Sequence, residues 1–196
     1  MNTLIEAAIQ GDSRLVREYI QQGISPNLRD QHGETALTWA AHLGHTAVVK
    51  DLLAAGADRE TVGTFLQATP LQLAAHRGHR GIVALLAVFA DVNVRDLHGT
   101  TALMLALDPK EASQIASHRV YAILQTLIQA GAMLDLQDQQ GNTALIWAVQ
   151  TGNIEATRLL YAAGANPRIS NKTGKNALEY ANEHGDKIFL QLFLSK

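Results

Sequence analysis

Apolar residues return along this chain in short paired bursts. In residues 33–58, GETALTWAAHLGHTAVVKDLLAAGAD, a first burst holds Leu37, Ala40 and Ala41, and a second holds Val48, Val49, Leu52 and Leu53, with Gly44 between them. Steps of three and four within each burst predict two short amphipathic helices. Thr35 stands where its hydroxyl can cap the first helix, and Gly44 accepts the left-handed backbone that ends it. The alanines leave room for a neighbouring helix to approach closely.

The pattern is periodic. TALTWAAHLGH at 35–45 returns as TPLQLAAHRGH at 69–79, TALMLALDPKE at 101–111, TALIWAVQTGN at 143–153 and NALEYANEHGD at 176–186, after a truncated copy, TLIEAAIQGD, at 3–12. The spacing is 33 residues from Gly11 to Gly44, 34 from Gly44 to Gly78 and 33 from Gly152 to Gly185, whereas Thr101 to Thr143 is 42. The fourth copy therefore carries an insertion. The second burst recurs as Ile82, Val83 and Leu86, as Ile123, Leu124, Leu127 and Ile128, and as Ile154, Leu159 and Leu160. Polar connectors, PNLRDQHGE, VNVRDLHGT, LDLQDQQGN and PRISNKTGK, separate the copies, and Gly33, Gly99, Gly141 and Gly174 in them suit a tight hairpin-like turn. One helix pair buries too little apolar area to stand alone, so the pairs must stack. The expected fold is all-α, a single domain over 1–196 built of six copies at about 1–29, 30–63, 64–95, 96–137, 138–170 and 171–196.

DQHGETALTWAAHLGH followed by VVKDLLAAGAD, and the Thr69-Pro70-Leu71 form of the next copy, resemble the ankyrin repeat. The likeness extends over nearly the whole chain. It departs from the family pattern at Thr38, Gln72, Met104, Ile146 and Glu179, where histidine is usual, which leaves the histidine tie between turns without its residue. The resemblance implies an L-shaped cross-section, with short inner helices and loop tips lining a concave face. It also implies protein binding through that face, as adaptor or inhibitor, with no catalysis and no cofactor.

Composition narrows the partner. Sixteen basic and eighteen acidic residues, a formal charge of −2 and a pI near 6.4 give no reason to expect nucleic acid or an anionic membrane. No cysteine is present, which excludes disulfides, thiolate metal sites and cysteine nucleophiles. The first residues read as neither a signal peptide nor a membrane span, so a cytoplasmic, complete and monomeric protein is expected.

Two irregularities stand out. The connector RETVGTFLQATP is one residue longer than its counterparts and offers Phe65 and Leu66, either as a binding anchor or folded back over a helix. The insertion at about 108–120 begins at Pro109, which should stop the helix before it, and carries Lys110, Glu111, His118 and Arg119. At the end of the chain, Ile188, Phe189, Leu192 and Phe193 can close the stack, while Leu190 and Leu194 leave self-association open as an alternative function.

Chemistry has few footholds. His42, His45, His76 and His79 give two H-x-x-H spacings that could gather four imidazoles for zinc, but each spacing straddles a helix-ending glycine. Asp30, Asp96 and Asp138 recur one per copy and suit capping of their own turns better than acid catalysis. Trp39 and Trp147 share one helical phase and are expected to pack between copies, with indole N–H groups reaching a loop. Partner-binding candidates at loop tips are Gln31, His32 and Glu34, then His98 and Thr100, then Gln139, Gln140 and Asn142, and lastly Lys172 and Lys175. Ends of inner helices add His42, Leu43, His76, Arg77 and Gln150, and Phe65 and Leu66 complete the set.

Overall fold

A computed structural model describes residues 3–108, 117–184 and 187–194. Among these residues the chain is helical without strands, as expected, apart from an isolated bridge between Arg29 and Thr35. It forms two compact units, Met1–Asp91 and Val92–Lys196.

The N-terminal unit contains α1 (Leu4–Gln10), α2 (Ser13–Gln21), α3 (Ala36–Leu43), α4 (Thr46–Ala54), α5 (Pro70–His76) and α6 (Arg80–Leu86). Helix α3 packs between α1 and α5, and α4 packs between α2 and α6. Ala40, Ala41, Ala74 and Ala75 lose all contact with water where the inner helices meet, and Leu37, Leu52, Leu71, Ile82 and Leu86 fill the space between the two rows. Burying a side chain of leucine size contributes roughly 1.5–3 kcal/mol, which such short helices need because they are marginal in isolation.

The C-terminal unit contains α7 (Ala102–Leu105), α8 (Ser117–Gln129), α9 (Ala144–Gln150), α10 (Ile154–Ala162), α11 (Ala177–His184) and α12 (Lys187–Leu194). Helix α9 packs on α7 and α11, and α10 packs on α8 and α12. Pro109, Lys110 and Glu111 lie outside the described residues, while His118 and Arg119 are exposed in the first turn of α8. On α12, Phe189 and Phe193 are buried, and the Phe193 ring meets Tyr161 edge to face at 5.1 Å. Ile188, expected to close the stack, is instead 44% exposed, because the face carrying Phe189 and Phe193 is the one turned inward. The side chains of Leu190 and Leu194 fall outside what is described.

The caps follow the sequence closely. Thr3, Thr35, Thr69, Thr101 and Thr143 each accept a hydrogen bond from the backbone N–H three residues on. At three of the positions where the family usually has histidine, the side chain closes its own cap, and at Glu179 it does so by accepting from Asn176 N at 2.7 Å. Thr38 Oγ1 accepts from Thr35 N, and Gln72 Oε1 accepts from Thr69 N, both at 2.8 Å. Copies are tied instead by the later histidines. His45 Nε2 donates to the Ile9 carbonyl at 3.0 Å and His79 Nε2 to the His42 carbonyl at 3.1 Å.

Gly44 shows why glycine stands before those histidines. Its φ is +86°, and a Cβ there would lie 2.5 Å from the His79 ring. Gly56 has a similar φ of +82° with nothing within 4 Å. Gly56→Ala is expected to cost about 1 kcal/mol from backbone strain alone, and Gly44→Ala about 2 kcal/mol or more, because the imidazole must also shift. Urea unfolding of the two variants measures the difference.

Candidate functional site

Each connector is organised around one acidic or amide side chain. Asp30 Oδ1 accepts from the backbone N–H of His32 and Glu34, Asp96 Oδ1 from His98 and Thr100, and Asp138 Oδ1 from Gln140 and Asn142. Asn171 Oδ1 does the same for Thr173 and Lys175. The four loops are therefore preset, as their recurring aspartates suggest. Their tips are also joined within each unit: Thr64 N donates to the His32 carbonyl at 2.7 Å, Gln139 N to His98 at 2.8 Å and Lys172 N to Gln140 at 2.9 Å. Asn27, Asn93 and Asp135 make a second set of ties to the following copy, accepting from the backbone N–H of Asp58, Met133 and Asn166.

The second carboxylate oxygen holds the aromatic ring nine residues on. Trp39 Nε1 donates to Asp30 Oδ2 at 3.1 Å, and Trp147 Nε1 to Asp138 Oδ2 at 2.9 Å. In the last copy Asn171 Nδ2 donates to the Tyr180 hydroxyl at 3.1 Å. The indoles reach the loops as expected, but they are half-buried rather than core, since satisfying the N–H pulls each ring toward the surface. The Asp-x8-Trp spacing was the signal in the sequence that could have placed them there.

In the N-terminal unit a cluster forms on Trp39. Phe65 is 62% exposed, with its ring 5.8 Å from Trp39 and 5.7 Å from His32. Trp39 meets His42 edge to face at 6.3 Å, and Arg77 donates to His42 Nε2 at 3.2 Å. Phe65 thus folds back over Trp39 while much of its ring stays in solvent. Leu43 is exposed at the end of α3, His76 is half-buried at the end of α5, and the Gln31 amide lies 3.1 Å from His32 Nε2.

Glu34 overturns an expectation. Placed at a loop tip by sequence position, it is 0% exposed. Its Oε1 accepts from Phe65 N at 3.2 Å and Leu66 N at 2.7 Å, and its carboxylate lies against Gly63, where a Cβ would come within 2.2 Å. Glu34 is therefore the brace of the Phe65 loop, which closes through Gln67 at a φ of +55°, an uncommon conformation for a residue other than glycine. Thr100 is likewise buried, at 5% exposed, because its hydroxyl donates to Asp96 Oδ2.

In the C-terminal unit, Gln140, Asn142 and Gln150 come together with Thr151 around Trp147 and Asp138, lining a pocket of about 170 Å³. His98, Gln139 and Lys172 are exposed outside it, with the Gln139 side chain donating to the Leu97 carbonyl. Lys175 pairs with Glu183 at 2.6 Å and lies 5.5 Å from the centroid of the Tyr180 ring. Hydrogen bonding to Glu183 raises its pKa. Among the described residues, no three histidine or carboxylate groups gather as metal ligands, and no helix is long and apolar enough to cross a membrane.

The family model for ankyrin repeats (3 copies) matches residues 4–96, 49–116 and 111–196, and the chain belongs to this family. It is 35% identical over 101 residues to the palmitoyltransferase Hip14 of Drosophila melanogaster, covering 51% of this chain and 16% of that protein. It is 39% identical over 83 residues to ankyrin repeat domain-containing protein 40 of Mus musculus, covering 42% and 23%. An ankyrin repeat-containing protein of Treponema pallidum (strain Nichols) is 32% identical over 108 residues, covering 55% and 36%. The chain thus spans between 16% and 36% of the length of these relatives.

Burial alone would raise the Asp30 carboxyl. Hydrogen bonds from Trp39 and from the backbone of His32 and Glu34, with the charge of His32, together hold it below the ordinary carboxylate range. The stabilisation is complete above the unfolded value of about 3.9 and disappears as pH falls through the lower folded value. Asp30→Asn is expected to lose stability at neutral pH and to show a shallower acid limb than wild type, measured by urea midpoints at pH 7 and in a series below pH 4.5.

Proposed function

We propose that the protein binds another protein or an extended peptide through the loop tips and the ends of the inner helices, and acts by occupancy rather than catalysis, as an adaptor or an inhibitor. The observation that carries this reading is Phe65. A large aromatic side chain is kept largely in water while its loop is fixed from beneath by a buried carboxylate, in a backbone that includes a strained residue. Burying a carboxylate is costly, and strain of this kind recurs where a surface has to be held ready. Around Phe65 stand His32, Trp39, His42 and Arg77, a mixture of aromatic, imidazole and guanidinium groups of the sort that dominates affinity at the centre of protein interfaces.

Membership of the ankyrin family supports the same reading. The three relatives match this chain over only 16% to 36% of their own length, which is consistent with a recognition module used in different settings. Gln31, Leu43, Leu66 and His76 form the rim on this reading, and within the C-terminal unit His98, Gln139 and Lys172 are separate contact candidates.

Affinity capture from a native cell extract, followed by titration of the identified partner with purified protein, tests the proposal. Replacing both Phe65 and Leu66 by alanine is expected to weaken the partner at least tenfold while leaving a folded protein. Unchanged affinity in a folded variant would remove Phe65 from the interface.

A further inference from the structure

We infer that the pocket over Trp147 takes a basic side chain, lysine or arginine, from the bound partner protein, an inference that rests on the protein-binding reading above. The chain contains its own comparison. Counting 108 residues back from Asp138 and Trp147 gives Asp30 and Trp39, held by the same indole-to-carboxylate hydrogen bond. Beside the first pair stand His32 and His42. At the same two places around the second pair stand Gln140 and Gln150. Trp39 is also covered by Phe65, whereas Trp147 lines an open pocket. The second site has kept the acid and the indole, and has exchanged each of these basic neighbours for an amide.

That exchange leaves a negative charge with no cation to answer it. Asp138 is 4% exposed, and its oxygens accept from the Gln140 and Asn142 backbone, the Asn142 side chain and the Trp147 indole. It enters no ion pair among the described residues, and no basic side chain lines the pocket. The face of an indole carries negative electrostatic potential of its own, so ring and carboxylate favour the same occupant. The Gln140 and Gln150 side chains make no hydrogen bond among the described residues, which leaves their amide oxygens to receive the N–H groups of an ammonium or guanidinium.

In the next copy the loop residue is the neutral Asn171, and the acid is Glu183, at the position of Gln150. Tyr180 stands 33 residues after Trp147, and there the chain supplies its own cation, Lys175. At the position of Lys175 the earlier copy has Asn142. The cation that the last copy carries itself is the one the Trp147 site lacks.

The test follows the indole N–H resonances of the full 15N-labelled chain at low salt during titration with N-acetyl-lysine-N-methylamide, and in parallel with the neutral isostere N-acetyl-norleucine-N-methylamide. The lysine probe is expected to shift the Trp147 indole and the Gln140 and Gln150 side-chain amides saturably, with a midpoint in the tens of millimolar, the range open to a single cation–π contact. The norleucine probe should act at least fivefold more weakly, and the Trp39 indole should not respond. Two variants complete it. Asp138→Asn with Trp147→Tyr rebuilds the neutral pair that the chain uses at Asn171 and Tyr180, and Gln140→Lys places a cation at the exposed rim. Either is expected to reduce the lysine response at least fivefold, and the second alters only a solvent-facing side chain. Equal response to both probes would mean an apolar site. Silence of Trp147, or an undiminished response in Gln140→Lys, would overturn the proposal as well. Because the probes report on the pocket without any partner, its failure would leave the Phe65 experiment standing.

Discussion

Helices of seven to nine residues cannot bury an apolar face by themselves, and everything else in this protein is arranged around that limit. The inner helices meet through alanines so small that the backbones come close, and only then do Leu37, Leu71 and Leu145 reach a dry interior. Close approach brings the helix ends together as well. It is what allows His45 and His79 to reach the carbonyls of the preceding copy, and it is why glycine is needed where those rings arrive. Packing, capping and turn chemistry are therefore one requirement seen at three levels.

The same closeness fixes the surface. Loop tips a repeat apart are joined through backbone groups, and each loop is preset from inside by an aspartate or asparagine. Gly141 illustrates how tight this is, since a Cβ there would come within 2.8 Å of the Lys172 nitrogen. Arg29 and Gln137 share in this framework, each donating to the carbonyl of its loop glycine, Gly33 or Gly141. His32 and His42 become Gln140 and Gln150 on it, changing the electrostatic character of the site while the aspartate and tryptophan beneath keep their hydrogen bond.

Much of this was legible in the sequence because it is periodic. Helices, caps, helix-ending glycines and loop aspartates repeat, and repetition makes a local rule visible. His32, His42, Phe65 and Arg77 were identified from position alone and do come together, as do Gln140, Asn142 and Gln150. What escaped was decided by single contacts across copies. Nothing local marks Glu34 as buried, since its partners are the backbone N–H groups of Phe65 and Leu66, 31 and 32 residues away. Trp39 and Trp147 were read as core from hydrophobic phase, and one hydrogen bond each holds them at the surface.

Distance along the chain has a further consequence. Within each unit the tertiary hydrogen bonds between copies span 29 to 42 residues, so a copy need not wait for a distant segment before it docks on its predecessor in that unit. Low contact order of this kind favours rapid folding. The Phe65 cluster draws on nothing beyond Arg77. During synthesis on a ribosome, every residue that builds this surface is joined to the chain before the first residue of the C-terminal unit is added.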